Sequence, residues 1–186
     1  MKNTTGMATA LLCLLAVTAC NRSAPSAHST PSATPATSAA LAPKTGPLDA
    51  THSIDGEAIT LHNGFAEKAA APGSAMMERT SVRNGSLVHG DLDGDGDQDV
   101  ALLLTNDPGG SGTFSYLAVA VNNGDKYEGT DALFLGDRIG SPAITIRDGL
   151  IQVDFLDRPD SVSFGDAPTL HRVVKAKLEG RQLKQL

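Results

Sequence analysis

Hydrophobic and polar positions alternate between turn signals over much of the chain after residue 50. The clearest case surrounds the Asp-Gly pair at 148–149, because Asp-Gly favours a two-residue type I′ turn. Such a turn sets Ile146 opposite Ile151 and Ile144 opposite Val153 on one face of a hairpin. We therefore predict a hairpin from about 143 to 155, and Asn63-Gly64 predicts a second one around 59–67.

Other segments continue the β pattern. The almost uniformly apolar run 100–105 predicts a central strand that is covered on both faces. Further strands are predicted at 114–121, 132–135, 170–178 and after 179–180. The only helix-prone piece is Ala66 to Ala71, which Pro72 ends. We expect a mainly β fold, a single antiparallel sheet or sandwich-like domain with few or short helices.

The chain of 186 residues has room for one domain and a tail. Residues 21–50 are rich in Ser, Thr, Ala and Pro, hold five of the 10 prolines and precede the first aromatic residue, Phe65. Prolines interrupt every window long enough to start a helix, so this segment is expected to be a disordered tether. The predicted organisation is a leader at 1–19, a linker at 20–50 and a β-rich domain at 51–186.

Both cysteines lie at the beginning of the chain, so no disulfide is expected in the domain. An apolar stretch from Met7 to Ala19 ends in Val-Thr-Ala-Cys20, which resembles the lipobox of bacterial lipoproteins. The resemblance implies cleavage before Cys20, loss of Cys13 and lipidation of Cys20, which would hold the protein to a membrane. Asn21, in place of the aspartate that retains lipoproteins at the inner membrane, favours the outer membrane facing the periplasm. The alternative is an ordinary cleaved signal.

Net charge limits the partners. The formal charge is -6 and the pI is about 5.2, so the clustered Lys and Arg needed to bind nucleic acid are absent. We expect no nucleic-acid partner.

A cluster of acidic residues lies directly before the predicted central strand, with a carboxylate at every second position of nine residues. Close pairs of these charges repel by roughly 1 kcal/mol even in water, and a hard cation relieves that repulsion. Calcium prefers such an oxygen-rich shell, and Gly96 occupies the sixth position, where a sharp turn needs positive φ. The candidate metal ligands are Asp91, Asp93, Asp95, Asp97 and Asp99.

The loop is not an EF-hand, because Gln98 stands where an aliphatic residue belongs and Leu102 where the bidentate Glu belongs. Residues 90–100 instead resemble the calcium-binding β-hairpin loop of FG-GAP repeats. That resemblance implies side-chain ligands from Asp91, Asp93, Asp95 and Asp99 and a backbone carbonyl ligand from Asp97. There is no second copy of the loop, so only the loop transfers and not a propeller. The alternative is a solvated acidic turn without a specific metal.

A wider resemblance covers about 54–160 and rests on Pro72-Gly73-Ser74, the acidic loop, 109–114 and 135–139. These segments are similar to a family of small bacterial lipoproteins of unassigned function. The family implies a one-domain, membrane-tethered context and no inherited reaction.

Catalytic patterns are weak. Gly109-Gly110-Ser111-Gly112 lacks the last glycine of a nucleophile elbow, His89 stands alone beside the acidic loop, and the other histidines have no zinc-like spacing. We expect a non-enzymatic binding or structural protein that contacts an unknown envelope protein, with its oligomeric state left open. The alternative is a calcium-scaffolded hydrolase using the Ser111 loop and Asp137. Glycan recognition ranks third, because it needs an exposed aromatic platform and Trp is absent.

Overall fold

The computed structural model describes residues 45–163 and 165–186. The leader, the lipidation site at Cys20 and the linker up to residue 44 lie outside this range. Within the described residues, a 3₁₀ turn at Pro47–Asp49 precedes thirteen strands. In chain order the strands are β1 Thr51–Ile54, β2 Glu57–Thr60, β3 Phe65–Ala69, β4 Met77–Val82, β5 Val88–Gly90, β6 Asp99–Asp107, β7 Phe114–Asn122, β8 Tyr127–Gly129, β9 Leu133–Asp137, β10 Gly140–Arg147, β11 Leu150–Asp157, β12 Leu170–Glu179 and β13 Gln182–Gln185.

The strands form three sheets in which every paired strand is antiparallel. The central sheet is built on the long pair β6 and β7. On the outer edge of β6, β5 pairs with the first residues and β4 with the last. On the outer edge of β7, β9 pairs with the first residues and β8 with the last. Strands β10 to β13 form a second sheet in chain order, and β1 with β2 forms a two-stranded ribbon.

Two buried side chains supply hydrogen bonds to the central pair at the breaks between its neighbouring strands. Between β8 and β9, the Thr130 hydroxyl accepts a hydrogen bond from the backbone N–H of Val119 at 3.0 Å. Between β5 and β4, the Ser86 hydroxyl accepts one from the N–H of Leu103 at 3.1 Å. Without these hydroxyls each buried amide would lose its partner, which costs about 1–3 kcal/mol.

Packing gives the domain three layers. Alternate residues of β6 and β7 point to opposite faces of the central sheet, and both faces are covered, which explains the apolar runs. One face packs against the four-stranded sheet, and the other packs against the ribbon. The first core includes Ala101, Leu103, Leu117, Val119, Ile151, Val153, Phe155, Ala176 and Leu178. The second includes Ile54, Ile59, Leu61, Val100, Leu102, Leu104, Tyr116, Ala118 and Ala120.

The expected mainly β, antiparallel fold is confirmed. The hairpin predicted around Asp148-Gly149 is β10 and β11, with φ of 51° and 70° at the two turn residues. Ile146 pairs with Ile151 and Ile144 with Val153, as the alternation predicts. The predicted central strand at 100–105 lies within β6.

Two local predictions need correction. Asn63-Gly64 does form a turn, but its hairpin consists of one bridge between His62 and Phe65, because β2 pairs with β1 instead. The helix-prone segment 66–71 is mostly strand β3, which pairs with β4 over its whole length. Ala and Lys are good helix formers, but helix propensities differ by only a few tenths of a kcal/mol per residue, and antiparallel pairing with β4 outweighs that preference.

Hydrogen bonds to the rest of the domain begin a few residues before position 51. The N–H of Asn63 donates to the Asp49 carboxylate at 2.9 Å, and the N–H of Gly64 donates to the Leu48 carbonyl at 2.8 Å. Ala50 is buried in the core beneath the ribbon. Residues 47–50 therefore belong to the folded domain.

Candidate metal centre

The acidic loop connects β5 to β6, which form an antiparallel hairpin with Gly90 paired to Asp99. Its residues are fixed at both ends by the core. Leu92 is 4% exposed and packs in the first core, while Val100 is fully buried in the second. An apolar anchor on each side therefore holds the intervening carboxylates at one end of the central sheet.

The loop brings together three of the five predicted ligands. Asp91, Asp93 and Asp99 each offer a carboxylate oxygen, and these oxygens all lie within 4.8 Å of one another. Two oxygens bound to the same calcium ion at about 2.3–2.6 Å lie at most about 5 Å apart. The group could therefore hold a metal ion without rebuilding the backbone.

Asp99 is the buried member of this group and its link to the sheet. It is fully buried, and its two carboxylate oxygens accept hydrogen bonds from the N–H groups of Leu92 and Asn122, both at 2.9 Å. Burial raises the pKa of Asp99, the two N–H donors oppose the rise, and the charges of Asp93 and Asp95 add to it. A cation bound here would offset both the cost of burying the Asp99 charge and the repulsion from the neighbouring carboxylates.

Glycine lets the chain turn around Asp91. Its carboxylate accepts hydrogen bonds from the N–H groups of Gly94 at 2.7 Å and Gly96 at 3.2 Å. These glycines have φ of 87° and 92°, a region that an L-residue with a side chain rarely adopts. The glycine that the sequence places at the sixth position therefore performs the expected turn.

Asp95 and Asp97 are not part of the three-carboxylate group. The Asp95 carboxylate accepts the N–H of Asp97 at 2.8 Å, and the Asp93 carboxylate accepts the N–H of Asp95 at 3.2 Å. These short-range bonds support successive turns in the loop. The two side chains thus shape the loop and add negative charge close to the group.

Tyr127 is a neighbour of the site that the sequence pattern of the loop does not predict. Its hydroxyl donates to the backbone carbonyl of Gln98 at 3.4 Å, and its pKa is raised by burial and by the charges of Asp99 and Asp97. The turn after β7 pairs Tyr127 with Asn122, and the backbone N–H of Asn122 donates a hydrogen bond to the Asp99 carboxylate. That turn was visible in the sequence and was the signal that could have found this residue.

His89 and the proposed hydrolase residues lie elsewhere. His89 is exposed in the middle of β5 and does not belong to the carboxylate group. Asp137 is held in a two-point contact by the Arg138 side chain at 3.0 and 2.6 Å and accepts the N–H of Thr113 at 2.9 Å. The Arg138 contact, then the Thr113 N–H, lower the pKa of Asp137, which makes it a poor base. Among the described residues, the cavity beside Asp137 is not lined by Ser111.

Comparison of the chain with protein-family models, with curated proteins and with solved structures gives no match. Within residues 45–163 and 165–186, no helix is long and apolar enough to cross a bilayer. What this protein does must therefore be inferred from its own residues.

Proposed function

We propose that this protein is a calcium-stabilised β domain that a lipid on Cys20 holds at the bacterial outer membrane, facing the periplasm. In this proposal it is a non-enzymatic binding or structural protein of the cell envelope. The observation that carries the proposal is the group of Asp91, Asp93 and Asp99, with a fully buried carboxylate at its base.

The chemistry of the ligands favours calcium over a transition metal. The group offers carboxylate oxygens and neither imidazole nor thiolate, which is the ligand set of hard cations. Calcium takes six to eight oxygens. In the FG-GAP-like arrangement, Asp95 and the carbonyl of Asp97 would supply further ligands beyond the three carboxylates, and water would supply the rest.

The expected role of the ion is structural. Asp99 already links the loop to β7 through Asn122, and an ion shared with Asp91 and Asp93 would close the loop over the end of the sheet. Calcium at a hundredfold its dissociation constant would stabilise the folded state by about 2.7 kcal/mol. A loop that lacks a terminal bidentate Glu is expected to bind weakly, near 10⁻⁴ to 10⁻³ M, as extracellular modules do.

The attachment to the membrane is proposed from the lipobox-like Val-Thr-Ala-Cys20 and from the Pro-rich segment that follows it. Acyl chains contribute about 0.8 kcal/mol per buried methylene, so more than one chain gives lasting attachment. A tether of this composition would allow the domain to reach a partner away from its own membrane.

A melting experiment with the full chain in detergent tests the metal. The melting temperature is expected to rise on adding calcium and to rise less with equal magnesium at matched ionic strength. Asp93→Asn should remove most of the rise, whereas Asp160→Asn, which removes an exposed charge outside the group, should leave it intact. A melting temperature that is indifferent to calcium, or a rise unaltered by Asp93→Asn, would refute the calcium site.

Metabolic labelling tests the lipid separately. Cells that express the chain should incorporate labelled palmitate into it, and Cys20→Ser should abolish both the label and recovery in outer-membrane fractions. Cys13→Ser is the matched control, since Cys13 lies within the proposed leader. Label retained in Cys20→Ser would disprove the anchor and leave the calcium site unaffected.

A further inference from the structure

A cavity of about 550 Å³ lies between the ribbon and the central sheet. The turn and second strand of the ribbon form one side, and the ends of β4, β6, β7 and β9 form the other. Asn106 lines it and lies seven positions along β6 from Asp99, which corresponds to about 23 Å of extended strand. The cavity and the acidic loop are therefore at opposite ends of β6.

Three aromatic side chains form one wall of this cavity. Tyr116 pairs with Phe134 across β7 and β9, and their ring centroids are 5.4 Å apart in an edge-on arrangement. Phe114 lies 6.2 Å from Phe134. Phe134 is 52% exposed, although it is a large apolar residue and the second residue of the five-residue strand β9. The wall therefore presents an aromatic surface to solvent.

Three carboxylates surround the same space. Asp55 and Glu57 come from the ribbon turn and the start of β2, and Glu78 comes from β4. Lys68 pairs with both Glu57 and Glu78, the latter at 3.3 Å. Lys68 thus neutralises one charge of the Glu57 and Glu78 pair and does not pair with Asp55, so the three carboxylates keep about two negative charges beside the aromatic wall.

A hydrogen bond holds the carboxylate and the aromatic wall together. The Tyr116 hydroxyl donates to Asp55 at 3.0 Å. Burial, then the Asp55 carboxylate, raise the pKa of Tyr116 to about 12, so the hydroxyl keeps its proton. The Asp55 carboxylate therefore has a fixed place at the edge of the ring that it contacts.

We propose that this cavity binds an organic cation: an alkylammonium or guanidinium group that meets the carboxylates while its apolar stem covers the aromatic wall. A positive charge over an aromatic face is attracted by the ring quadrupole, and nearby carboxylates add to that attraction. A neutral sugar could also stack on the wall, but it would leave the unbalanced charge uncompensated. The chemistry is common to a free amine and to a Lys or Arg side chain of a polypeptide.

Calorimetric titration of the full chain at low ionic strength, without and with about 1 mM calcium, tests the proposal. The probes are cadaverine, the peptide acetyl-Ala-Lys-Ala-amide, the same peptide with acetyl-lysine, and N-acetylglucosamine. The two cationic probes should bind, and added salt should weaken them. Tighter binding of the peptide would identify a polypeptide side chain as the source, and tighter binding of cadaverine a free amine. Equal binding of the acetylated peptide, preference for the sugar, or no cation binding at about 10 mM would overturn the proposal.

Variants then locate the binding. Phe134→Leu keeps an apolar side chain but removes the ring, and Glu78→Gln removes one charge; each should weaken cation binding about threefold or more. Phe65→Leu is the matched control, because Phe65 is 45% exposed and does not line the cavity. Phe134→Tyr keeps a ring and should bind like the original chain. If Phe134→Leu and Phe65→Leu have equal effects, the cations bind elsewhere and the proposal fails, whatever the outcome for calcium.

Discussion

His52 makes the stability of this protein depend on pH in a way that one substitution can isolate. The side chain lies in β1 and is 1% exposed, and within the described part of the chain neither ring nitrogen makes a hydrogen bond of normal geometry. Burial lowers the pKa of His52 from 6.5 to about 4, against the opposing effect of the Thr130 carbonyl and with a contribution from the charge of Arg181. The folded protein therefore keeps this imidazole neutral.

The sign follows from the two pKa values. The unfolded chain takes up a proton on His52 near pH 6.5, but the folded chain does so only near pH 4. The contribution of His52 to stability is therefore fully present above pH 6.5, is lost as the pH falls below that value, and changes no further below about pH 4. The interval of about 2.5 pH units corresponds to about 3 kcal/mol in total, most of which is lost by pH 4.5.

The test is urea unfolding of the full chain and of His52→Leu, each at pH 7.5 and 4.5 in the presence of a chelator. Leucine does not ionise, and it replaces an imidazole that makes no hydrogen bond of normal geometry within the described part of the chain. The loss of unfolding free energy between the two pH values should be about 2–3 kcal/mol smaller in His52→Leu, because all other titrating groups are common to both chains. His52→Gln, a second non-ionising variant, should agree. An unchanged pH dependence in both variants would refute the reasoning.

Two further substitutions test the central sheet. Thr130→Val removes the hydroxyl that satisfies the buried N–H of Val119 and should lower the unfolding free energy by about 1–3 kcal/mol, whereas Thr130→Ser should retain most of it. Equal losses in the two variants would contradict the proposed bond. Gly129→Ala would place a methyl group 2.3 Å from the Thr51 carbonyl oxygen, so we expect a loss of at least about 1–3 kcal/mol by thermal melt. Gly110→Ala, whose added methyl group would meet no described atom within 4 Å, should change stability by less than about 0.5 kcal/mol. A similar loss in Gly129→Ala and Gly110→Ala would show that the close contact at Gly129 does not cause the loss.

The hairpin turns show how much of the strand pairing could be predicted from neighbouring residues. Asp148-Gly149 predicted its hairpin and register because the turn and the alternation around it agree. Asp55-Gly56 is a turn of the same kind, with φ of 52° and 86°, and it closes the ribbon, although it is not among the hairpins predicted above. That omission hid the pairing of β2 and with it the position of the Asp55 carboxylate.

The acidic loop was predictable in part for the same reason. Its glycines and alternating carboxylates lie within nine residues, so the turn around Asp91 follows from local hydrogen bonds. Which carboxylates come together depended on more distant partners. Asp99 is positioned by the amide of Asn122, which lies twenty-three residues further along the chain.

What the sequence alone determined is the set of features that depend on neighbours a few residues apart: the β character, the central strand, the Asp148-Gly149 hairpin and the acidic turn. The tertiary structure decided what depends on register between distant strands. It made 65–69 a strand despite its helical preference, and it placed Phe134 beside Tyr116 and Glu78 beside Asn106. Backbone hydrogen bonds and burial across the sheets outweigh weak local preferences, and a local pattern does not specify which strands will meet.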